Sequence, residues 1–287
     1  MSVHVTAAII VPSYNRPERL RGCLQALCAL EGGPYDIIVV DDGSSEPLEA
    51  VCREFAGLVR CLRQENAGPA AARNAGAAVA RADFLAFTDD DCRPEPAWVI
   101  KLMAHQEGRE SRLVGGRVVN LLPHNPYASA SQSLCDFLYD YFGADDGTMP
   151  FFTSNNIGCA KSRFIDFGGF DMTFPLAAAE DRDFGLRWRA RGGELVYAQE
   201  AIVGHAHNLT LQAFLRQHTN YGRGARHLHK LMDSRGSRRP KLESLRFYLG
   251  LVAYPLGRPG RARLTQSALL VLSQAAMVAG YTRFRGN

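Results

Sequence analysis

The seven cysteines include no Cys-x-x-Cys pair, and they are scattered from Cys23 to Cys159. Their odd number and spacing argue against a zinc ribbon or a disulfide framework and fit a reducing compartment. No basic segment followed by an apolar core and a cleavage site opens the sequence. The run Ala7–Val11 is short and stops at Pro12. It therefore reads as a buried strand rather than a leader, and a cytoplasmic location is expected. No Gly-x-Gly-x-x-Gly follows that first strand, which argues against a dinucleotide oxidoreductase. No apolar stretch runs uninterrupted for the roughly 20 residues that a membrane span needs. Internal repeats and low-complexity segments are also lacking.

What is present is enough for a large buried core: 287 residues, 46% hydrophobic and 22% charged. The net charge of +4 conceals an asymmetry. From Arg216 to Asn287 there are 14 basic residues against two acids, so this tail carries +12 and residues 1–215 carry −8. A basic tail on an acidic body can meet an anionic membrane surface or nucleic acid, or it can be a solvated helical face.

The first 120 residues alternate strand and helix. Val5–Val11 reads as a strand, and Asn15 with Pro17 as the start of a helix carrying Leu20, Leu24, Leu27 and Leu30 on one face. Ile37–Val40, Leu58–Leu62 and Phe84–Phe87 read as further strands, with an Ala-rich helix over Gly68–Ala80. This predicts an α/β fold with a doubly wound, mostly parallel sheet, whose ligands bind beyond the carboxyl ends of the strands. After Gly115-Gly116 the rhythm changes. Tyr127–Phe142 and Glu180–Arg191 read as helices, Phe151–Ala160 as an interrupted strand or loop, and Glu194–Ala198 and Ala201–Val203 as two short strands. Beyond Thr210 the chain reads as helical.

Two acidic clusters follow strand candidates directly: Asp41-Asp42 after Ile37–Val40, and Asp89-Asp90-Asp91 after Phe84–Phe87. Crowded carboxylates repel unless a cation joins them. A hard divalent ion shared with phosphate oxygens resolves the repulsion.

These clusters sit in a longer ordered set. The set comprises Val11-Pro12-Ser13-Tyr14-Asn15-Arg16, Val40–Ser44, Asn66–Gly76, Phe87–Asp91, Gly168-Gly169-Phe170-Asp171 and Glu180-Asp181. Together they resemble glycosyltransferase family 2, whose nucleotide-binding half has the GT-A fold, over roughly residues 5–207. The resemblance implies an inverting enzyme that moves a sugar from a nucleoside-diphosphate donor to an acceptor hydroxyl. It implies donor contacts from Pro12, Tyr14, Asp42, Arg73, Asp89 and Asp90, with Asp42 receiving a base N–H as in UDP-sugar enzymes. Asp91 would ligate Mn²⁺ or Mg²⁺. Cys92, where the family often has another acid, reads as packing. Asp181 would be the general base, with Asn155, Asn156, Gly168, Gly169 and Glu180 on the acceptor side. Gly168-Gly169 reads equally well as a plain turn. His205, and less so His207, stand where some family members place a third metal ligand, although a lone histidine is more often structural.

The expected layout is a nucleotide-sugar half over 1–120, an acceptor and catalytic half over 121–209, and a basic helical extension over 210–287. The acceptor would be a glycan, a lipid-linked molecule or another hydroxyl compound, as in envelope or surface polysaccharide synthesis. A metal-dependent nucleotidyltransferase is the competing reading, and a nucleic-acid-binding module a weaker one; no nucleic-acid partner is expected. Leu245–Leu256 and Leu264–Tyr281 are apolar-rich and flanked by Arg238, Arg239, Lys241, Arg258, Arg261, Arg263, Arg283 and Arg285. They fit peripheral contact with an anionic membrane at the inner face, and equally packing on the body or a homodimer.

Overall fold

The computed structural model describes residues 6–55, 57–145, 150–174, 178–237, 243–258 and 262–283. Arg238, Arg239, Lys241, Arg261 and Arg285 of the expected basic flank lie outside them. Two compact units emerge. One comprises 1–119, 149–173 and 180–206, the other 120–148, 174–179 and 207–287.

The first unit holds an eight-stranded sheet in the order β3-β2-β1-β4-β7-β6-β8-β5. Its parallel half is β1 (Ala7–Ser13), β2 (Tyr35–Asp41), β3 (Val59–Arg63) and β4 (Phe84–Phe87). Ile9, Ile10, Val39, Val40 and Phe87 are buried. This is why these strands read as continuous apolar runs rather than alternating ones. Helices α1 (Pro17–Cys28), α2 (Glu49–Arg53) and α3 (Gly68–Val79) form the connections. Helix α1 buries Leu20, Cys23, Leu24 and Leu27, one face at helical spacing. Asn15 is not its cap. It sits at φ +55 and its side chain accepts from Ser45, while Arg16 takes the cap position without a side-chain bond.

Beyond β4 the sheet turns to antiparallel pairing, in the pairs β4–β7, β6–β7 and β5–β8. The strands there are β5 (Cys92–Pro94), β6 (Arg112–Asn120), β7 (Ile157–Ala160) and β8 (Glu194–His205). Strand β6 runs straight through Gly115-Gly116, which look like a break in sequence. A side chain at Gly116 would lie 2.1 Å from the Ala201 carbonyl oxygen, so close strand packing requires the glycine. Likewise Glu194–His205 is one strand, not two. Residues 151–156 belong to no strand, and pairing starts only at Ile157. Helices α4 (Trp98–Gln106), α6 (Lys161–Asp166) and α7 (Glu180–Ala190) complete this unit.

The second unit is helical: α5 (Pro126–Asp145), α8 (Leu211–Ser234), α9 (Leu245–Ala253) and α10 (Arg263–Arg283), with a 3-10 turn at Tyr254–Gly257. Helix α5, read from sequence as part of the 121–209 half, clusters with these C-terminal helices. Phe137 meets Phe247 at 5.1 Å and Tyr254 at 5.5 Å.

Candidate active site

The parallel strands β1, β2 and β4 end on one edge, so the segments after Ser13, Asp41 and Phe87 share it. Pro12 lies in β1 opposite Val40, and Tyr14 just beyond it is 46% exposed. Asp41 and Asp42 both belong to the frame of this edge. Asp41 accepts from Ser44 N at 2.9 Å, Leu48 N at 3.1 Å and Arg63 Nη1 at 2.7 Å. Burial pushes its carboxyl up, but these donors outweigh burial and hold it below the usual value. Asp42 Oδ1 accepts from Gln64 Nε2 at 2.7 Å and Ala67 N at 2.9 Å, and its Oδ2 accepts from Gly68 N at 2.9 Å. It thus satisfies free N–H groups at the start of α3. One lone pair on Oδ2 is left for a ligand.

The triple aspartate after β4 is different. Each carboxylate faces a cation on another element. Arg73 on α3 donates to Asp89 at 2.7 Å, Arg16 to Asp90 at 3.2 Å, and Arg19 to Asp91 at 3.2 Å. Ser13 Oγ adds a bond to Asp90 at 2.7 Å. Asp90 is nonetheless pushed up to about 6, first by burial and then by Asp91 against the pull of Arg16. His205 ends β8 opposite Cys92, which brings its Nε2 within 3.1 Å of Asp91 Oδ1. Burial lowers the imidazole's proton affinity, yet the bond to Asp91 and its charge leave it raised.

Asp91, Cys92 and His205 offer ligand atoms all within 4.8 Å of one another. Burial, with the charges of Asp89 and Asp91, drives the Cys92 thiol well above its ordinary range, so no thiolate is at hand. A carboxylate–imidazole pair remains, which suits Mn²⁺ and fits a hard ion's preference for oxygen. Beside it, Thr88 Oγ1 and Arg73 Nε are buried without a hydrogen-bond partner among the described residues, as groups awaiting a ligand would be. Among the described residues His207 is not one of the group formed by Asp91, Cys92 and His205.

Arg73 is 3% exposed and also donates to Glu180 Oε1 at 3.3 Å, tying the aspartate loop to the start of α7. Burial raises both Glu180 and Asp181, and the Asp181 charge raises Glu180 further. Asp181 Oδ1 accepts from Arg182 N at 2.8 Å. The residue before this acid pair, Ala179, holds φ +73, a left-handed conformation that costs a side-chain-bearing residue roughly 1–2 kcal/mol. Strain of this sort collects at working sites.

The acceptor-side residues divide. Asn155 is buried, and its Oδ1 has no partner among the described residues. Asn156 is a clamp instead: Oδ1 accepts from Trp98 Nε1 at 2.8 Å, and Nδ2 donates to Arg117 O and Ala201 O at 2.9 Å. No polar valence of the amide is left over for an acceptor except one lone pair. The N–H groups of Gly168 and Gly169 close α6 on the carbonyls of Ile165 and Phe164, each at 2.9 Å. That is the plain-turn alternative.

Arg16, Arg19 and Ser13 were given no role from sequence. A signal existed: two arginines at the amino end of a helix oppose its dipole. Such placement points to a counter-charge nearby.

Known proteins resemble this chain in sequence and in fold. Residues 8–170 match glycosyl transferase family 2. The chain is 32% identical over 230 residues to the pre-mycofactocin glycosyltransferase of Mycobacterium tuberculosis, covering 77% of this chain and 47% of that protein. It is 29% identical to a chondroitin synthase of Escherichia coli, covering 67% and 34% respectively. It therefore spans half or less of the length of these relatives. A mannosyltransferase from Pyrobaculum calidifontis, solved with GDP-Man and Mn²⁺, shares the fold at TM-score 0.63 and 15% identity, over 96% of this chain and 76% of that one. The nucleotidyltransferase alternative yields to these matches: the chain belongs to glycosyl transferase family 2.

Proposed function

We propose that this protein is a metal-dependent, inverting glycosyltransferase that moves a sugar from a nucleoside-diphosphate donor to an acceptor hydroxyl. The supporting observation is the Arg73 bridge, which joins Asp89 of the aspartate loop and Glu180 beside Asp181 in one buried ion-pair network. A divalent ion, Mn²⁺ or Mg²⁺, held by Asp91 and His205 would neutralise the departing diphosphate as a Lewis acid. Arg73 adds a fixed cation in a buried setting, where charge stabilisation is strongest. Arg16 and Arg19 add cations on half-exposed side chains that can shift toward phosphate oxygens.

Asp181 is the general base. It removes the acceptor hydroxyl's proton as the oxygen forms its bond to the anomeric carbon and the diphosphate leaves. Its raised proton affinity brings it nearer the working pH, which improves a base that must hold a proton only transiently. Attack from the side opposite the leaving group inverts the anomeric centre. Glu180 and Asn155 line the acceptor side. The remaining lone pair of Asp42 Oδ2 suits a base N–H, which favours UDP among the donors. Pro12 and Tyr14 border the nucleoside. The chondroitin synthase relative supports a glycan or lipid-linked acceptor in polysaccharide synthesis. The place of action would be the cytoplasm, at or near the inner membrane face.

A thermal-shift panel of nucleoside diphosphates and their sugars, with and without Mn²⁺, tests this reading. Stabilisation of about 2.7 kcal/mol is expected at a ligand concentration of about 100 times Kd, in the presence of the metal only. Indifference to every nucleoside diphosphate in Mn²⁺ would overturn it.

A further inference from the structure

Helix α10 turns an apolar face to the outside. Its outward residues include Leu264 (78% exposed), Val271 (51%), Leu272 (46%) and Val278 (62%), with Ala268 and Ala275 exposed between them. Positions 264, 268, 271, 275 and 278 form one stripe along the helix, and no charge interrupts it. The inward face is mixed: Leu269 and Leu270 are buried there beside polar side chains. Ser267 and Ser273 are buried, and Gln266 Oε1 accepts from Ser133 Oγ of α5 at 3.1 Å. Gly280 lies against α8 so closely that a side chain would fall 2.0 Å from the Thr219 carbonyl oxygen. A helix in water normally keeps its outer face polar. Small and polar residues at inward contacts, with apolar side chains outward, suit a helix whose outer surroundings are lipid. Helix α9 extends the surface with Leu245 (74%) and Leu249 (62%). Half of the exposed large apolar side chains among the described residues lie between Leu245 and Val278, far too many for chance scatter.

Charge decides what covers this face. From Ser244 to Asn287 the chain carries six arginines and no acid; Arg258 is paired with Asp140 of α5, and Arg246 is exposed among the α9 leucines. A second copy would bring like charge against like. An anionic lipid surface is complementary, at about 1 kcal/mol per basic residue near it. The helix has 21 residues, about 30 Å in length, so it could by length cross a bilayer. Its packing partner α8 argues against crossing, since it carries Arg216, Arg223, Arg226 and Lys230. We propose that the outer faces of α9 and α10 form a docking surface for an anionic bilayer. The helices lie in the interface plane with their apolar side chains shallowly inserted.

The test is flotation of the full chain with phosphatidylcholine vesicles, with and without phosphatidylglycerol, at low and high salt. No donor or acceptor is added, so the outcome stands apart from glycosyl transfer. Binding is expected to the anionic vesicles alone, weakening with salt. Val271→Asp and Leu249→Asp, both at exposed positions, should each weaken it by about tenfold or more while melting temperature stays unchanged. Vesicle binding that ignores both substitutions would overturn the proposal, as would no binding at all. So would a sedimenting dimer that Val271→Asp splits, since a second copy would then cover the face.

Discussion

The two acidic loops look alike in sequence and do opposite things in the structure. Asp41 ends β2 and Asp42 follows it, and both are held mainly by backbone N–H donors. Asp41 is held below its ordinary pKa by them and pins the loop to Arg63 of β3. Asp89, Asp90 and Asp91 follow β4 and are opposed mainly by side-chain cations, two of them half-exposed. There burial and mutual repulsion drive Asp90 up to about 6. Asp41 stabilises the fold; the triple aspartate is maintained against its own electrostatic cost, the expected condition of a cation site.

The largest effects are expected where the second cluster works. Asp91→Ala should abolish metal-dependent donor turnover while leaving the melt intact. Full activity of that variant in EDTA would end the metal reading. Asp181→Asn keeps the shape and loses the proton acceptor. Turnover should fall by about 10²–10⁴ with nucleotide affinity little changed. Wild-type turnover would move the base elsewhere, with Glu180 the next group to examine.

Asp41→Ala tests the contrast from the other side. It leaves two loop N–H groups and Arg63 without their acceptor, at a cost of about 2–3 kcal/mol. Chemical denaturation should register that loss. A melt equal to wild type would erase the distinction between the loops.

Asp90 supplies the pH dependence. Its folded pKa of about 6 lies above the ordinary carboxylate value, so folding disfavours the charged form. Below the unfolded value both states are protonated and the group is neutral toward stability. As pH rises through 4 toward 6, the unfolded chain ionises first and the fold weakens, by on the order of 2–3 kcal/mol in the metal-free protein. Asp90→Asn should remove this decline and melt higher than wild type at pH above about 7 without metal. A lower melt would mean that Ser13 and Arg16 depend on the charge.

Much of this was legible in sequence. The continuous apolar runs of β1, β2 and β4 mark strands covered on both faces, and the acids directly after them mark the binding edge. Helices α1, α3 and α7 lie within a few residues of their expected bounds, because their periodicity is local. What was not legible depends on distant partners. Gly115-Gly116 marks a change of rhythm in sequence, yet β6 runs through it because Ala201 presses on Gly116. Asn156 resembles a ligand until Trp98, 58 residues away, is found bonded to it. Asp41 and Asp91 differ only in what stands opposite them, and no spacing rule carries that.

The smallest predicted effect is the sharpest test of how the second cluster is held. Arg19 Nη1 lies 3.2 Å from Asp91 Oδ2, while His205 takes the other oxygen at 3.1 Å. A metal ion arriving at Asp91 must compete with that guanidinium. The Arg19 side chain is 37% exposed, so solvent screens the pair and it is worth about 0.2–1 kcal/mol. Arg19→Gln should therefore tighten Mn²⁺ binding in the absence of nucleotide by up to about fivefold, measured calorimetrically. If Arg19 then turns to the diphosphate, the same variant should bind nucleoside diphosphate in Mn²⁺ more weakly, by a similar factor. The two changes have opposite signs, which no general loosening of the site would produce. Weaker binding of both ligands would make Arg19 a plain structural support of Asp91, and unchanged binding of both would leave the pair without a role in the site.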